Sequence, residues 1–152
     1  MSALNAFIAR TIKGYLVIAG AITGLSVLFA VDIDLFTPMF GGLVDYTPAS
    51  VPALRHWGFM VFGIGVLMIA AAFRPWLRFE TMLFCTLEKG FITYLFLSNL
   101  GQPWIKGYLV ATVVDATIAA YGIVYFVSDR GRPARWVQVS KDRSSPQRGT
   151  TR

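Results

Sequence analysis

Four apolar runs alternate with short polar breaks along the chain, at roughly 12–31, 57–73, 77–98 and 104–127. Each is near the ~20 residues that a helix needs to cross about 30 Å of hydrocarbon. Lipid offers the backbone no hydrogen-bond partner, so runs of this length predict helices. Arg74-Pro75-Trp76 separates the second run from the third, and Asn99-Leu100-Gly101-Gln102-Pro103 the third from the fourth. Proline stops a regular helix at both breaks. The pattern predicts an all-α integral membrane protein folded as an antiparallel four-helix bundle. Residues 1–127 would form the four-span domain, with an outer loop at 32–56, and 128–152 a basic cytoplasmic tail.

Composition adds little to this picture. The chain is 55% hydrophobic with a mean hydropathy of +0.58, only slightly above the ~45–50% apolar usage of soluble domains. What excludes a soluble helical domain is the arrangement. Four long, nearly uniform runs in 152 residues leave too little polar surface to cover them.

Charge sets the expected orientation. If the amino terminus lies inside, the inner segments hold Arg10 and Lys13, then Arg74 and Arg78, then seven basic residues after position 127. The outer segments hold Arg55 and Lys106 against Asp32, Asp34 and Asp45. Cytoplasmic loops carry the excess of Lys and Arg, so both termini are expected in the cytoplasm, with the spans in a bacterial inner (plasma) membrane. The tail, with Trp136 and Val137 among its basic residues, suits an anionic lipid surface, and no nucleic-acid partner is expected. The first run follows Arg10 and Lys13 as a signal peptide would. It exceeds the usual ~7–15 apolar residues and three further runs follow, which favours an uncleaved helix.

Small residues mark the expected packing faces. Gly20 and Gly24 form a small-xxx-small face in the first run, and the second carries Gly58, Gly63 and Gly65. Such faces let helix backbones approach closely in lipid. In the outer loop, Pro38, Pro48 and Pro52 with Gly41-Gly42 stop a regular helix, yet FTPMFGGLV at 36–44 is too apolar for a freely solvated linker. A re-entrant or surface-lying cover over the outer mouth is expected there. At the inner turn, Arg74 and Arg78 read as orientation anchors with Glu80 paired locally.

The candidate chemistry sits inside the runs. Glu88 and Lys89 are adjacent near the middle of the third run, and Asp115 lies near the middle of the fourth. Charge at bilayer depth is costly and is kept where it faces the interior, finds a partner or lines a pathway. The third and fourth runs form a hairpin whose turn is centred near position 101, thirteen positions after Glu88 and fourteen before Asp115. The three charges therefore belong to one layer near the midplane. Adjacent helix positions point about 100° apart, so one of Glu88 and Lys89 can face inward while the other reaches sideways. A Lys89–Asp115 or Lys89–Glu88 pair would offset desolvation. Thr112 borders Asp115, and small Ala111, Ala119 and Gly122 leave room for a polar group from another helix. Arg55 and His56, at the outer end of the second run, are secondary candidates.

The first functional reading is a small non-enzymatic accessory or scaffold protein whose intramembrane charges fix helix or subunit packing. The alternative is a membrane enzyme or carrier for a small apolar, lipid-like ligand that uses Glu88, Lys89 and Asp115. Membrane lipids are the expected partners, together with a second copy of the chain or a larger membrane complex. No cofactor and no metal are expected. One histidine is too few for a common metal site, and the single cysteine, Cys85, supports no disulfide. Motifs for nucleotide binding or a serine nucleophile do not occur in their required context.

Overall fold

The structure, a computed structural model, describes residues 2–36 and 46–128. Helix α1 spans Ala3–Gly24 and begins at Ser2, whose side-chain oxygen accepts the Asn5 N–H at 3.3 Å. That bond satisfies one of the donors a helix start leaves open. Ile8, Ile12, Leu16, Ala19 and Thr23 are buried along one stripe of α1, at the spacing of three and four that keeps residues on one face. Helix α1 thus starts well before the first apolar run.

That helix does not continue unbroken to 31 as the apolar pattern predicted. The Leu25 and Ser26 N–H groups bond back three residues, to Ile22 and Thr23 carbonyls at 3.2 Å, tightening the last turn. Short helices α2 (Val27–Val31) and α3 (Ile33–Phe36) follow. The break has a side-chain cause that periodicity does not reveal. Buried Ser26 donates its hydroxyl to the Gly58 carbonyl at 3.1 Å, tying the interruption to another helix.

Helix α4 runs Val51–Phe73, starting earlier than the second apolar run because Pro52 sits in its first turn, where a missing N–H costs nothing. It stops at Arg74, whose backbone is driven to φ −122° and ψ 89° by the following proline. One 3₁₀ turn, Pro75–Leu77, leads into α5 (Arg78–Leu97). A second 3₁₀ stretch, Pro103–Tyr108, precedes α6 (Leu109–Val127). The fourth apolar run therefore begins as a tighter helix than predicted. At the turn between α4 and α5, Arg78 donates to the Ala71 and Ala72 carbonyls at 3.1 and 3.0 Å. It caps the end of α4, and among the described residues no ion pair joins it to Glu80.

Packing pairs α1 with α4 and α5 with α6, and α4 also touches α5. Thr11 and Tyr15 carry α1 onto α6: Thr11 Oγ1 lies 2.8 Å from the Tyr121 hydroxyl, and the Tyr15 hydroxyl donates to the Ile118 carbonyl at 3.1 Å. The core gathers Leu16 of α1, Met68 of α4, Met82 and Cys85 of α5 and Ile118 of α6.

Among the described residues, three segments are long and apolar enough to cross a membrane: Ala3–Val31, Val51–Phe73 and Ile105–Val127. Only 22–39% of their most apolar stretches is buried within the protein, so most of that hydrocarbon faces outward. Soluble monomers rarely expose contiguous apolar surface beyond a few hundred Å², and the helices support an integral membrane location. Four such spans were expected. Helix α5 has the length, but Arg78, Glu80, Glu88 and Lys89 set it apart from the other three. The predicted cover at 36–44 and the basic tail lie, except at their first residues, outside the described residues.

Candidate functional site

Helices α5 and α6 are joined by a turn that starts at Ser98, and ring and side-chain contacts align them like rungs. Phe96 stacks on Tyr108 with centroids 5.1 Å apart, Lys89 meets Asp115, and Phe79 meets Phe126 edge-on at 5.8 Å. The first two contacts are both centred on position 102, one residue from the centre expected. Gly122 leaves the space that the Thr86 side chain occupies, while Thr86 donates its hydroxyl to the Met82 carbonyl at 2.6 Å. The small residue on α6 thus makes room for a polar side chain of the neighbouring helix, as expected, and that side chain is Thr86.

Lys89 lies at the centre of the charged layer. It is only 4% exposed, and its Nζ is 3.1 Å from Asp115 Oδ1 and 3.2 Å from Glu88 Oε2. Both partnerships considered from the sequence exist at once. Lys89 takes the interior position, while the side chains of Glu88 and Asp115 keep 24% and 16% of their surface. The long lysine stem overcomes the poor angle between adjacent positions by bending its head back toward its neighbour. Glu88 Oε2 has no aligned hydrogen bond among the described residues, so its compensation is coulombic. Separately removed from water, each of these ions would cost several kcal/mol, by about the amount only close pairing offsets.

A partly open cleft of about 160 Å³ reaches this layer. Its polar floor is Lys89 and Asp115, and its walls come from Thr23 and Ser26 at the α1 break, Trp57 and Val61 of α4, and Val110, Ala111 and Val114 of α6. Glu88 is outside the lining. Sequence reasoning missed the α1 and α4 contribution. The available signals were Thr23 and Ser26, polar residues on either side of Gly24 inside an apolar run.

The secondary candidates lie apart from the cleft. Arg55 donates from Nε to the Ala30 carbonyl at 2.8 Å and from Nη2 to that of Val31 at 3.1 Å, closing the end of α2. His56 is exposed. Thr112 donates its hydroxyl to the Tyr108 carbonyl of its own helix at 2.9 Å. Among the described residues, no three His, Cys, Asp or Glu side chains converge as a metal site would require. The arrangement offers an ammonium and a carboxylate side by side in an apolar wall, suited to holding a helix pair or a small polar group. Comparison with protein-family models, curated proteins and solved structures finds no match to this chain.

Proposed function

We propose that this chain is a small non-enzymatic accessory or scaffold protein of a bacterial inner membrane. Residues 1–127 would form an antiparallel four-helix bundle that spans the bilayer four times, with both termini and the basic 128–152 tail in the cytoplasm. The observation that carries the reading is Lys89 held between Asp115 and Glu88. It supplies the least apolar of the four long helices with a partner for its buried cation, so α5 enters lipid as half of a hairpin with α6. Polar contacts of this kind fix which helix faces which. The outward apolar faces, including Phe91 of α5 and Val110 of α6, are available to lipid, a second copy or a larger complex.

The test replaces the layer as a unit. The chain carrying Glu88→Leu, Lys89→Met and Asp115→Leu is purified in nanodiscs beside the parent, and bound proteins and lipids are identified by mass spectrometry. The expected result is a folded bundle that no longer recovers the parent's protein partners; unchanged recovery would overturn the reading. Reporter fusions after positions 45, 101 and 152 test the orientation, with the first two expected outside and the last inside.

The cleft favours a second reading, in which the same layer serves a small apolar ligand as a carrier or enzyme would. Its floor is Lys89 and Asp115, two of the three residues the alternative needs.

A further inference from the structure

We propose that the cleft above Lys89 and Asp115 is a binding site, entered sideways from the lipid, for the head of a neutral amphiphile bearing a hydroxyl or carbonyl oxygen. The proposal deepens the second reading and rests on it; the scaffold role stands or falls separately.

Size decides how much of a ligand enters. A cavity of about 150 Å³ accepts a single benzene ring, and sites that enclose drug-sized molecules have about 300–1,000 Å³. At about 160 Å³, the cleft holds one ring or a short head, and any longer part stays outside. The lining residues with the most exposed surface are Ile22, Leu25, Trp57 and Val110, at 45%, 44%, 38% and 68%. All four are apolar or aromatic. The mouth therefore presents hydrocarbon to hydrocarbon, a route for an alkyl tail and a barrier to a hydrated solute.

Charge decides the head. The lining itself contains one cation and one anion, Glu88 lying outside it. With Glu88 beside Lys89 the layer is net negative, so an anionic head finds no counter-charge there, and desolvating any ionic head in lipid is costly. A neutral oxygen avoids this cost and still finds both kinds of partner. An ammonium has three N–H donors, and two carboxylate oxygens approach the Lys89 Nζ, which leaves a donor for a carbonyl or hydroxyl. A carboxylate has room for about four incoming hydrogen bonds, so Asp115 can accept from a hydroxyl head. Thr23, a buried residue with a hydroxyl, also lines the cleft.

Trp57 at the mouth supplies the readout. The full chain, with Trp76→Phe, Trp104→Phe and Trp136→Phe so that Trp57 is the remaining fluorophore, is placed in phosphatidylcholine nanodiscs. It is titrated with terminally brominated undecanol, the matching brominated undecanoic acid under alkaline conditions, and bromoundecane. The alcohol is expected to quench Trp57 saturably, at about tenfold lower concentration than bromoundecane or the ionised acid, as one hydrogen bond to a charged group allows. Ala111→Phe, which fills the cleft while sparing the ion pairs, should remove the saturable component. Linear and equal quenching by all three probes would overturn the proposal, as would saturation unaffected by Ala111→Phe. Should that variant fail to fold, the ranking of probes on the parent decides alone. Phosphatidylcholine brominated along its acyl chains separates the layers of argument. If it quenches Trp57 and the alcohol shows no saturation, only the ligand site is lost; if it does not quench, the membrane reading itself fails.

Discussion

The α1–α4 and α5–α6 pairs solve the same packing problem with opposite chemistry. Along α1–α4 the backbones nearly touch. A Cβ added at Gly65 would lie 2.6 Å from the Gly20 carbonyl oxygen and from the Gly24 nitrogen, and one at Gly20 would lie 2.8 Å from the Gly65 oxygen. Along α5–α6 the join is made by side chains: Thr86 against Gly122, Phe96 against Tyr108, and Lys89 between two carboxylates. The glycine seam requires no charge to leave water but tolerates no added volume. The polar seam is closed by side chains and does not tolerate an unmatched charge. One is specified by shape and the other by electrostatics.

The largest expected effect comes from unbalancing the second seam. Lys89→Met leaves Glu88 and Asp115 without their cation, and breaking a buried ion pair typically costs about 3–5 kcal/mol. Denaturant-induced unfolding in micelles measures it. Replacing all three charges with apolar residues should restore or exceed parent stability, because no buried ion then remains. If Lys89→Met behaved like an ordinary surface change, within about 0.5 kcal/mol, the contrast between the seams would disappear.

Next in size is the glycine seam. Gly65→Ala should destabilise by about 1–3 kcal/mol through overpacking, since the obstacle is backbone that cannot move aside. Gly63, two residues away on the same helix, has nothing within 4 Å of an added Cβ. Gly63→Ala should therefore be neutral or stabilise by up to about 1 kcal/mol through helix propensity. Equal effects at the two positions in the same unfolding assay would show that close approach is not what the seam uses.

The smallest effect lies outside both seams. Exposed Tyr46 donates its hydroxyl to Asp34 Oδ1, and this bond raises the phenol above its ordinary pKa of 10.0. The folded chain thus favours the neutral phenol. Its stabilising contribution is complete below pH 10.0 and is lost as pH rises through the raised value. Comparing the parent with Tyr46→Phe across that window should show a slight parent advantage that fades with alkalinity. A difference that grew with pH would contradict the bond.

Much of this protein was legible in its apolar runs, because a span needs only length and apolarity. The layer shared by Glu88, Lys89 and Asp115 was legible as well, since a tight hairpin puts residues equidistant from its turn at equal depth. The interruption after Gly24 was not, because Ser26 earns its place through a carbonyl 32 positions away. Nor did a charge pattern reveal that Arg55 and Arg78 cap helix ends, for either arginine could equally have met an acid.

Sequence alone determined the helical class, the apolar lengths and the shared layer of the buried charges, all properties of spacing along one chain. Tertiary structure alone decided which glycines touch and that Lys89 takes both acids while claiming the buried position. It also decided that α1 and α4 wall a cleft above the Lys89–Asp115 pair. These depend on which faces of different helices meet, and a helix's own periodicity does not specify its neighbour.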